Sequence, residues 1–198
     1  MNDQSLNSAS STDHFWYFGY GSLVNDRTRP ADTVAQAYEL QGWRRRWSHR
    51  VFTAEGQGHT SLTVHADDSC SILGVLVQSP KVHLPALDER EVGYHRYGLA
   101  CASAFLGADA FLYHSTPDYF LPADEAFPIL QSYLDVVLSG YLLHYGEEAA
   151  IAFIQTTDGW DLPILNDRAA PVYPRAVALN EETLAHLDQL LAEYAGRA

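Results

Sequence analysis

Cysteine and basic residues are scarce in this sequence, and each shortage excludes a class of protein. The two cysteines, Cys70 and Cys101, permit one disulfide by arithmetic, but no framework of spacings supports it. Two buried thiols in a reducing compartment are therefore predicted. Lys and Arg number 12 against 25 Asp and Glu, which gives a formal net charge of -13. This imbalance argues against binding to nucleic acid, which needs concentrated basic residues, and against docking on anionic membranes.

Long apolar runs are also missing. No stretch of about 18 apolar residues occurs, so no transmembrane helix is predicted. The first fourteen residues, MNDQSLNSASSTDH, have neither a basic start nor an apolar run and are not expected to act as a signal peptide. Residues 1–13 offer almost nothing to bury and are predicted to form a disordered tail. The expected compartment is the cytoplasm.

Patterns that bind metals or common cofactors do not occur. The nine histidines form neither a His-x-x-x-His pair nor a Cys/His cluster. A dinucleotide fingerprint that begins at Gly19 needs a third glycine where Val24 stands, and the P-loop lysine is absent. Ser22 does not lie in a Gly-x-Ser-x-Gly elbow, so it has no local support as a hydrolase nucleophile. We therefore expect neither a metal site nor a cofactor.

Short strands dominate the first two-thirds of the chain. The 198 residues fit one large domain, and with no internal repeat and no linker after residue 30 we predict a single domain over 14–198. An aromatic run at Phe15–Phe18 predicts a buried strand. Further strands are predicted at Val34–Trp43, Trp47–Ala54, Ser61–His65, Ile72–Val77, Tyr97–Phe105 and Ala110–His114. Their close spacing suggests antiparallel hairpins that curl toward a barrel.

Helical patterns occur at four places. A short helix is predicted over Leu84–Arg90, and a longer one from Glu125, with one apolar stripe between Ile129 and Leu142 and an end at Gly146. Two more are predicted over Glu147–Ile154 and after Asn180, which is a good N-cap. The predicted fold class is α+β: a small, mixed, barrel-like β-sheet flanked by helices, with a helical C-terminal third.

A glycine-rich turn follows the first predicted strand, at Gly19-Tyr20-Gly21-Ser22. Such a turn exposes backbone N–H groups that bind a carboxylate or an oxyanion. A plain β-turn, in which Gly supplies a positive φ, is the alternative.

Four motifs follow one another in order between residues 18 and 97. They are Phe18-Gly19-Tyr20-Gly21-Ser22-Leu23, Gly42-Trp43-Arg44-Arg45-Arg46-Trp47, Ile72-Leu73-Gly74-Val75-Leu76, and Leu87-Asp88-Glu89-Arg90-Glu91 with Gly93 and Tyr94 after it. Together they resemble the γ-glutamyl cyclotransferase superfamily, in the version seen in ChaC-like members. The resemblance weakens after about residue 115.

The resemblance implies an enzyme that cyclises the γ-glutamyl group of a peptide or amine to 5-oxoproline and releases the amine. It implies that Glu91 is the catalytic residue, which carries the proton. A solvated Glu has a pKa near 4.3, so this role needs an apolar pocket that raises the pKa, and the aromatic strand at Phe15–Phe18 is a candidate wall. The alternative is a solvated Glu91 paired with Arg90 or Arg96, and Glu89 is the nearest competitor.

The same resemblance implies a small-molecule γ-glutamyl substrate. The amides of Gly21, Ser22 and Leu23 are candidates to hold its α-carboxylate and the oxyanion, with Tyr20 as a wall. Arg45 is a candidate cation, although three consecutive arginines on a strand cannot all face one pocket. Tyr94 is a candidate hydrogen-bond partner of the substrate or a core aromatic.

Alternatives remain for the substrate and for the end of the chain. Glutathione is one candidate substrate, a γ-glutamylamine is another, and a non-catalytic γ-glutamyl-binding protein of the same fold is a third possibility. Trp160, Arg168, Tyr173 and Arg175 lie outside the four motifs, in either a packed strap or a substrate-side wall. The sequence does not specify an oligomeric state.

Overall fold

The computed structural model of the chain describes residues 13–52 and 58–197. Apart from Asp13, the predicted tail at 1–13 lies outside these residues. The strands and helices in chain order are β1 (His14–Gly19), β2 (Val34–Phe52), β3 (Gly58–Pro80), α1 (Leu84–Arg90), β4 (Tyr94–Gly98), α2 (Ala100–Leu106), β5 (Ala110–Ser115), β6 (Ile129–Leu130), α3 (Gln131–Tyr145), α4 (Glu147–Gln155), β7 (Thr157–Asp158), β8 (Ile164–Leu165) and α5 (Glu181–Tyr194). None of the helices in the described ranges combines the length and the apolar character that a membrane span requires.

One large mixed sheet organises the fold and confirms the α+β class. Its strand order is β4-β5-β1-β3-β2-β7, with β6 paired to β3 and β8 paired to β6. Strand β1 lies inside the sheet, antiparallel to β3 and parallel to β5. Among the described strands, β4 and β7 form the two ends of this order and are not paired with each other. The sheet is therefore larger than predicted, and its pairing does not form a closed barrel.

Two very long strands replace four predicted short ones. Strand β2 has 19 residues and β3 has 23, and they pair antiparallel along almost their whole length. The register shifts between Gln41 and Trp43, where Gly42 has φ +81. A bulge of this kind bends a strand without ending its pairing. The predicted break at residues 44–46 was wrong, because β2 continues through these residues and stays paired with β3.

The strand predicted at Tyr97–Phe105 was also wrong. Strand β4 ends at Gly98, and α2 covers most of the remaining segment. Three of the seven residues of α2 are alanine, the strongest helix former, and Gly107 ends the helix with φ +66. The helix leaves the thiol of Cys101 exposed, whereas the thiol of Cys70 is buried, and both are free. The prediction of two buried thiols holds for Cys70 alone.

Three helices and an irregular segment make up the end of the chain. Helix α3 is buried on every side from Gln131 to Tyr141, because it packs against α4, α5 and the 3-10 turn Ser22–Val24. The predicted single apolar stripe was therefore too narrow. Asn180 caps α5 as predicted, and its side chain accepts the N–H of Thr183 at 2.8 Å. Between α4 and α5 the chain forms β7, β8 and an irregular segment, residues 166–180, which we call the strap.

Candidate active site

A short loop at the end of β1 carries backbone donors that have no acceptor. The 3-10 turn Ser22–Val24 follows Gly21, whose carbonyl accepts the N–H of Val24 at 3.0 Å. Among the described residues, no acceptor is paired with the N–H groups of Gly21, Ser22 or Leu23. Helix-like turns leave their first N–H groups free in this way, and such groups bind anions. This loop lines a cavity that we call the inner cavity.

The inner cavity brings the predicted loop and the predicted carboxylate together. Water-sized molecules can occupy about 30 Å³ of it, and its lining consists of Phe18, Gly19, Tyr20, Gly21, Ser22, Leu23, Leu62, Glu91, Tyr94, Tyr113 and Tyr133. Among the described residues of this lining, Glu91 alone has a carboxyl group, and none has a basic side chain. The cavity therefore combines one carboxyl group, several phenols and the free amides of the loop.

Glu91 reaches this cavity because helix α1 ends directly before it. Its N–H donates to the carbonyl of Leu87 at 3.1 Å, and its own carbonyl accepts the N–H of Tyr94 at 3.1 Å. Gly93, with φ +82, completes the turn, and a Cβ there would lie 2.4 Å from the ring of Tyr119. The local sequence thus forces a tight reversal between α1 and β4, and the Glu91 side chain is only 15% exposed.

Burial raises the pKa of Glu91, and the charges of Arg90 and Arg175 oppose that rise. Arg90 is in direct contact, with its Nε 3.2 Å from Oε1 of Glu91. Arg96 instead binds the exposed Asp88, at 2.9 Å between Nε and Oδ1. The alternative of a solvated carboxylate therefore fails, although its Arg90 partner is present.

Arg90 also connects the carboxylate to the loop. Its terminal nitrogens donate to Oγ of Ser22 at 3.0 Å and to the carbonyl of Thr28 at 2.7 Å. The competitor Glu89 is exposed and lies outside the inner cavity. Of the two glutamates in this segment, Glu91 alone is connected to the loop.

Buried tyrosines form the remaining walls of the inner cavity. The phenol of Tyr20 donates to the carbonyl of Tyr113 at 2.7 Å, and that of Tyr94 donates to the carbonyl of Leu62 at 2.6 Å. Burial raises the pKa of Tyr20, Tyr94 and Tyr133 far above the ordinary phenol range. All three phenols are therefore neutral at physiological pH.

Arg45 does not contact the cavity, so the prediction that it is a substrate-binding cation was wrong. Its side chain is fully buried behind the loop and lines neither this cavity nor the adjoining one. Its guanidinium donates to the carbonyls of Tyr20 and Leu73, to Thr156 and to Tyr141. A cation with these partners is not available to a substrate carboxylate. Arg45 instead fixes the backbone at the start of the loop.

The hydroxyl of Ser22 has partners that the sequence did not reveal. The phenol of Tyr173, in the strap, donates a hydrogen bond to it at 3.0 Å. Arg90 donates to the same oxygen, also at 3.0 Å. The Tyr173 ring also packs edge-on against Tyr133, with centroids 4.9 Å apart. The sequence shows a cluster of Pro, Tyr and Arg at 171–175. No spacing in the sequence specifies that this cluster packs against the loop at Ser22.

Two polar anchors fix the strap on the helices. The carboxylate of Asp167 accepts the N–H and the hydroxyl of Ser132, at 2.7 and 2.6 Å. Arg168 binds Asp135 on α3, at 2.7 Å between Nε and Oδ2. Trp160, before the strap, donates to the carbonyl of Ile154 at 2.8 Å and packs against the core. Trp160 and Arg168 therefore act in packing, whereas Tyr173 touches the site.

A second, outer cavity adjoins the first. The two share the side chains of Ser22, Glu91, Tyr94 and Tyr133. The outer cavity adds a lining of His49, Val51, Phe52, His59, Ser61, Glu89, Arg90, Val92, Tyr119, Tyr173, Pro174 and Arg175. A ligand that reaches from one cavity into the other therefore passes the carboxyl group of Glu91.

Known proteins resemble this chain in fold but not closely in sequence. No protein-family model matches the sequence, and no curated protein matches it. A solved structure described as "Gamma-glutamyl cyclotransferase" matches with a TM-score of 0.57 at 17% identity, over 89% of this chain and 99% of that one. An uncharacterised protein from Homo sapiens matches with a TM-score of 0.54 at 18% identity, also over 89% of this chain and 99% of that one. These likenesses establish a shared fold.

Proposed function

We propose that this chain, which has the γ-glutamyl cyclotransferase fold, cyclises the γ-glutamyl group of a small peptide or amine and releases the amine. The observation that carries this proposal is the lining of the inner cavity. There, one buried carboxyl group, that of Glu91, shares a small cavity with the unpaired amides of Gly21, Ser22 and Leu23.

The reaction needs little more than a substrate that is held in a bent conformation. The α-amino nitrogen attacks the γ-carbonyl carbon of its own glutamyl group, and the bond from that carbon to the leaving nitrogen breaks. The products are 5-oxoproline and the free amine. Because nucleophile and electrophile belong to one molecule, a cavity that holds it bent supplies most of the required proximity.

Proton transfer is the task that remains, and Glu91 is suited to it. The α-ammonium loses two protons on its way to the lactam nitrogen, and the departing nitrogen gains two and leaves as an ammonium. A single carboxylate can accept and return these protons in turn. Since burial raises the pKa of Glu91 toward neutrality, its carboxyl group is a better proton carrier at neutral pH than a solvated glutamate.

In this proposal the free amides of the loop bind the negative charge of the substrate. A substrate α-carboxylate, or the oxyanion that develops on the γ-carbonyl, requires fixed donors in a site protected from water. Gly21, Ser22 and Leu23 offer such N–H groups in the wall of the cavity. In this proposal Tyr20 and Tyr94, with neutral phenols, form the sides of the substrate site.

A panel of γ-glutamyl compounds tests this function. We expect purified protein to release 5-oxoproline from at least one of γ-glutamyl-alanine, glutathione and γ-glutamyl-ethylamide, as measured by chromatography. Release from the ethylamide alone would favour a γ-glutamylamine cyclotransferase. Binding of these compounds without release from any of them would contradict the reaction and favour a ligand-binding protein of the same fold.

A further inference from the structure

The outer cavity contains one cation whose guanidinium has no bonded partner among the described residues. Arg175 lines this cavity and is exposed, and it makes no hydrogen bond or ion pair with any other described residue. The other guanidinium in the lining, that of Arg90, is occupied by Glu91, Ser22 and Thr28. Arg175 is therefore the guanidinium of this cavity that is free to receive an anion.

A tight turn sets the position of Arg175. Residues Tyr173 to Ala176 form a turn closed by the N–H of Ala176, which donates to the carbonyl of Tyr173 at 3.1 Å. Pro174 occupies the second position, where its fixed φ favours a turn of this kind. Tyr173 is itself anchored through Ser22 and Ser132. The backbone of Arg175 is therefore fixed relative to the loop of the inner cavity.

The remaining polar groups of the outer cavity carry little charge. Burial lowers the pKa of His49 to about 3 and also lowers the pKa of His59. Both imidazoles are therefore neutral at physiological pH, and Nδ1 of the buried His59 has no hydrogen-bond partner among the described residues. Glu89 is the other charged side chain in the lining outside the Arg90–Glu91 pair, and it is exposed.

We propose that the outer cavity binds the leaving part of the substrate, and that Arg175 selects an amino acid or short peptide with a free carboxylate. This inference rests on the proposed function, because it places the γ-glutamyl group in the inner cavity. A substrate that spans both cavities has its leaving nitrogen beside Glu91 and its leaving group among Arg175, His59 and Tyr119. A guanidinium without a protein partner is suited to bind a carboxylate by charge-assisted hydrogen bonds.

Two substrates that differ in one group test the selection. We compare γ-glutamyl-alanine with γ-glutamyl-alaninamide, in which a carboxamide replaces the leaving group's carboxylate. For the wild type we expect kcat/KM to favour the acid by about tenfold. Arg175→Met is expected to erase this preference, because it lowers kcat/KM for the acid about tenfold more than it lowers kcat/KM for the amide. Arg175→Lys, which keeps the charge, is expected to retain part of the preference.

Arg46→Met is the matched control, because it removes the same charge from β2. Arg46 lies 3.6 Å from Asp158 and lines neither cavity. We expect this variant to keep the wild-type preference for the acid. If Arg175→Met keeps that preference as well, the proposed role of Arg175 is wrong.

Binding separates this inference from the proposed reaction. Calorimetric titration of Glu91→Gln with the acid and the amide measures affinity without turnover. Tighter binding of the acid, lost in the double variant with Arg175→Met, supports the carboxylate subsite even if no protein releases 5-oxoproline. Selective binding of the acid without any release of 5-oxoproline would contradict the proposed reaction but not the carboxylate subsite. Equal affinity for acid and amide, or no binding of either, would overturn the subsite.

Discussion

Arg90 and Glu91 are neighbours in sequence and form a shielded ion pair, with Nε 3.2 Å from Oε1 and both side chains at most 15% exposed. The same guanidinium donates to Ser22 and Thr28, so it connects the carboxyl group to the loop. Two opposing effects therefore act on the Glu91 carboxyl group. Burial raises its pKa, and the adjacent cation limits the rise.

Replacement of Arg90 tests this balance. In Arg90→Met the pKa of Glu91 is expected to rise further, so the acidic limb of the kcat/KM profile moves to higher pH. A buried carboxylate that loses its partner also lowers the free energy of unfolding, by about 3 kcal/mol. Arg96→Met, which removes a cation paired with the exposed Asp88, is the control and should leave the profile in place. A shift of the limb to lower pH in Arg90→Met would show that the ion pair does not act as described.

Gly21 is expected to tolerate no side chain. A Cβ there would lie 3.0 Å from the phenolic oxygen of Tyr133 and 3.5 Å from Cδ1 of Leu62, inside the inner cavity. We expect Gly21→Ala to lower kcat/KM by about a hundredfold through a misplaced substrate.

Gly98→Ala is the matched control for that variant. A Cβ at this position meets no atom within 4 Å, so activity is expected to be unchanged. Steady-state kinetics of both variants and their thermal unfolding give the comparison. Wild-type kinetics in Gly21→Ala would place the substrate elsewhere.

His49 is expected to make the fold sensitive to acid. Its buried ring stacks on Tyr94 with centroids 3.5 Å apart, and it contacts Oγ of Ser115 and the carbonyl of Val92. Burial lowers its pKa to about 3, whereas in the unfolded chain it is about 6.5. Between these two values the unfolded state binds the proton and the folded state does not, so the free energy of unfolding falls as the pH falls.

The corresponding measurement is chemical unfolding from pH 7 to pH 4. His49 is expected to contribute up to about 1.4 kcal/mol per pH unit below 6.5, and His49→Gln should remove this part of the slope. His186→Gln serves as a control, because His186 contacts the exposed Glu147 at the surface. Parallel curves for wild type and His49→Gln would contradict a neutral, buried His49.

Local patterns predicted much of the site, because its parts lie close together in the chain. Helix α1 has the predicted bounds, Leu84–Arg90, and its end places Glu91 directly after it. The glycine-rich turn after β1 also lies where the aromatic run indicated. In both cases a short sequence fixes the backbone, through a proline in the first turn of α1 and glycines around the loop.

Contacts between distant segments could not be predicted in the same way. The strand alternation indicated that the three arginines of β2 do not all face one pocket, but it did not indicate that Arg45 is buried behind the loop. Tyr173 lies 151 positions from Ser22, whose hydroxyl it contacts. No spacing in the sequence specifies that docking, because it depends on how the strap crosses α3. Helix α2 lies where a strand was predicted, because its three alanines favour a helix although Tyr97 and Phe105, at the ends of that segment, favour a strand.

Glu91→Gln tests the central claim most directly, with Glu89→Gln, an exposed acid two residues earlier, as the matched control. The measurement is 5-oxoproline release, together with calorimetric binding of the same γ-glutamyl compound. We expect Glu91→Gln to lose release by at least a hundredfold while it still binds the compound, and Glu89→Gln to match the wild type. Equal release by Glu91→Gln and the wild type would show that this carboxyl group does not carry the proton.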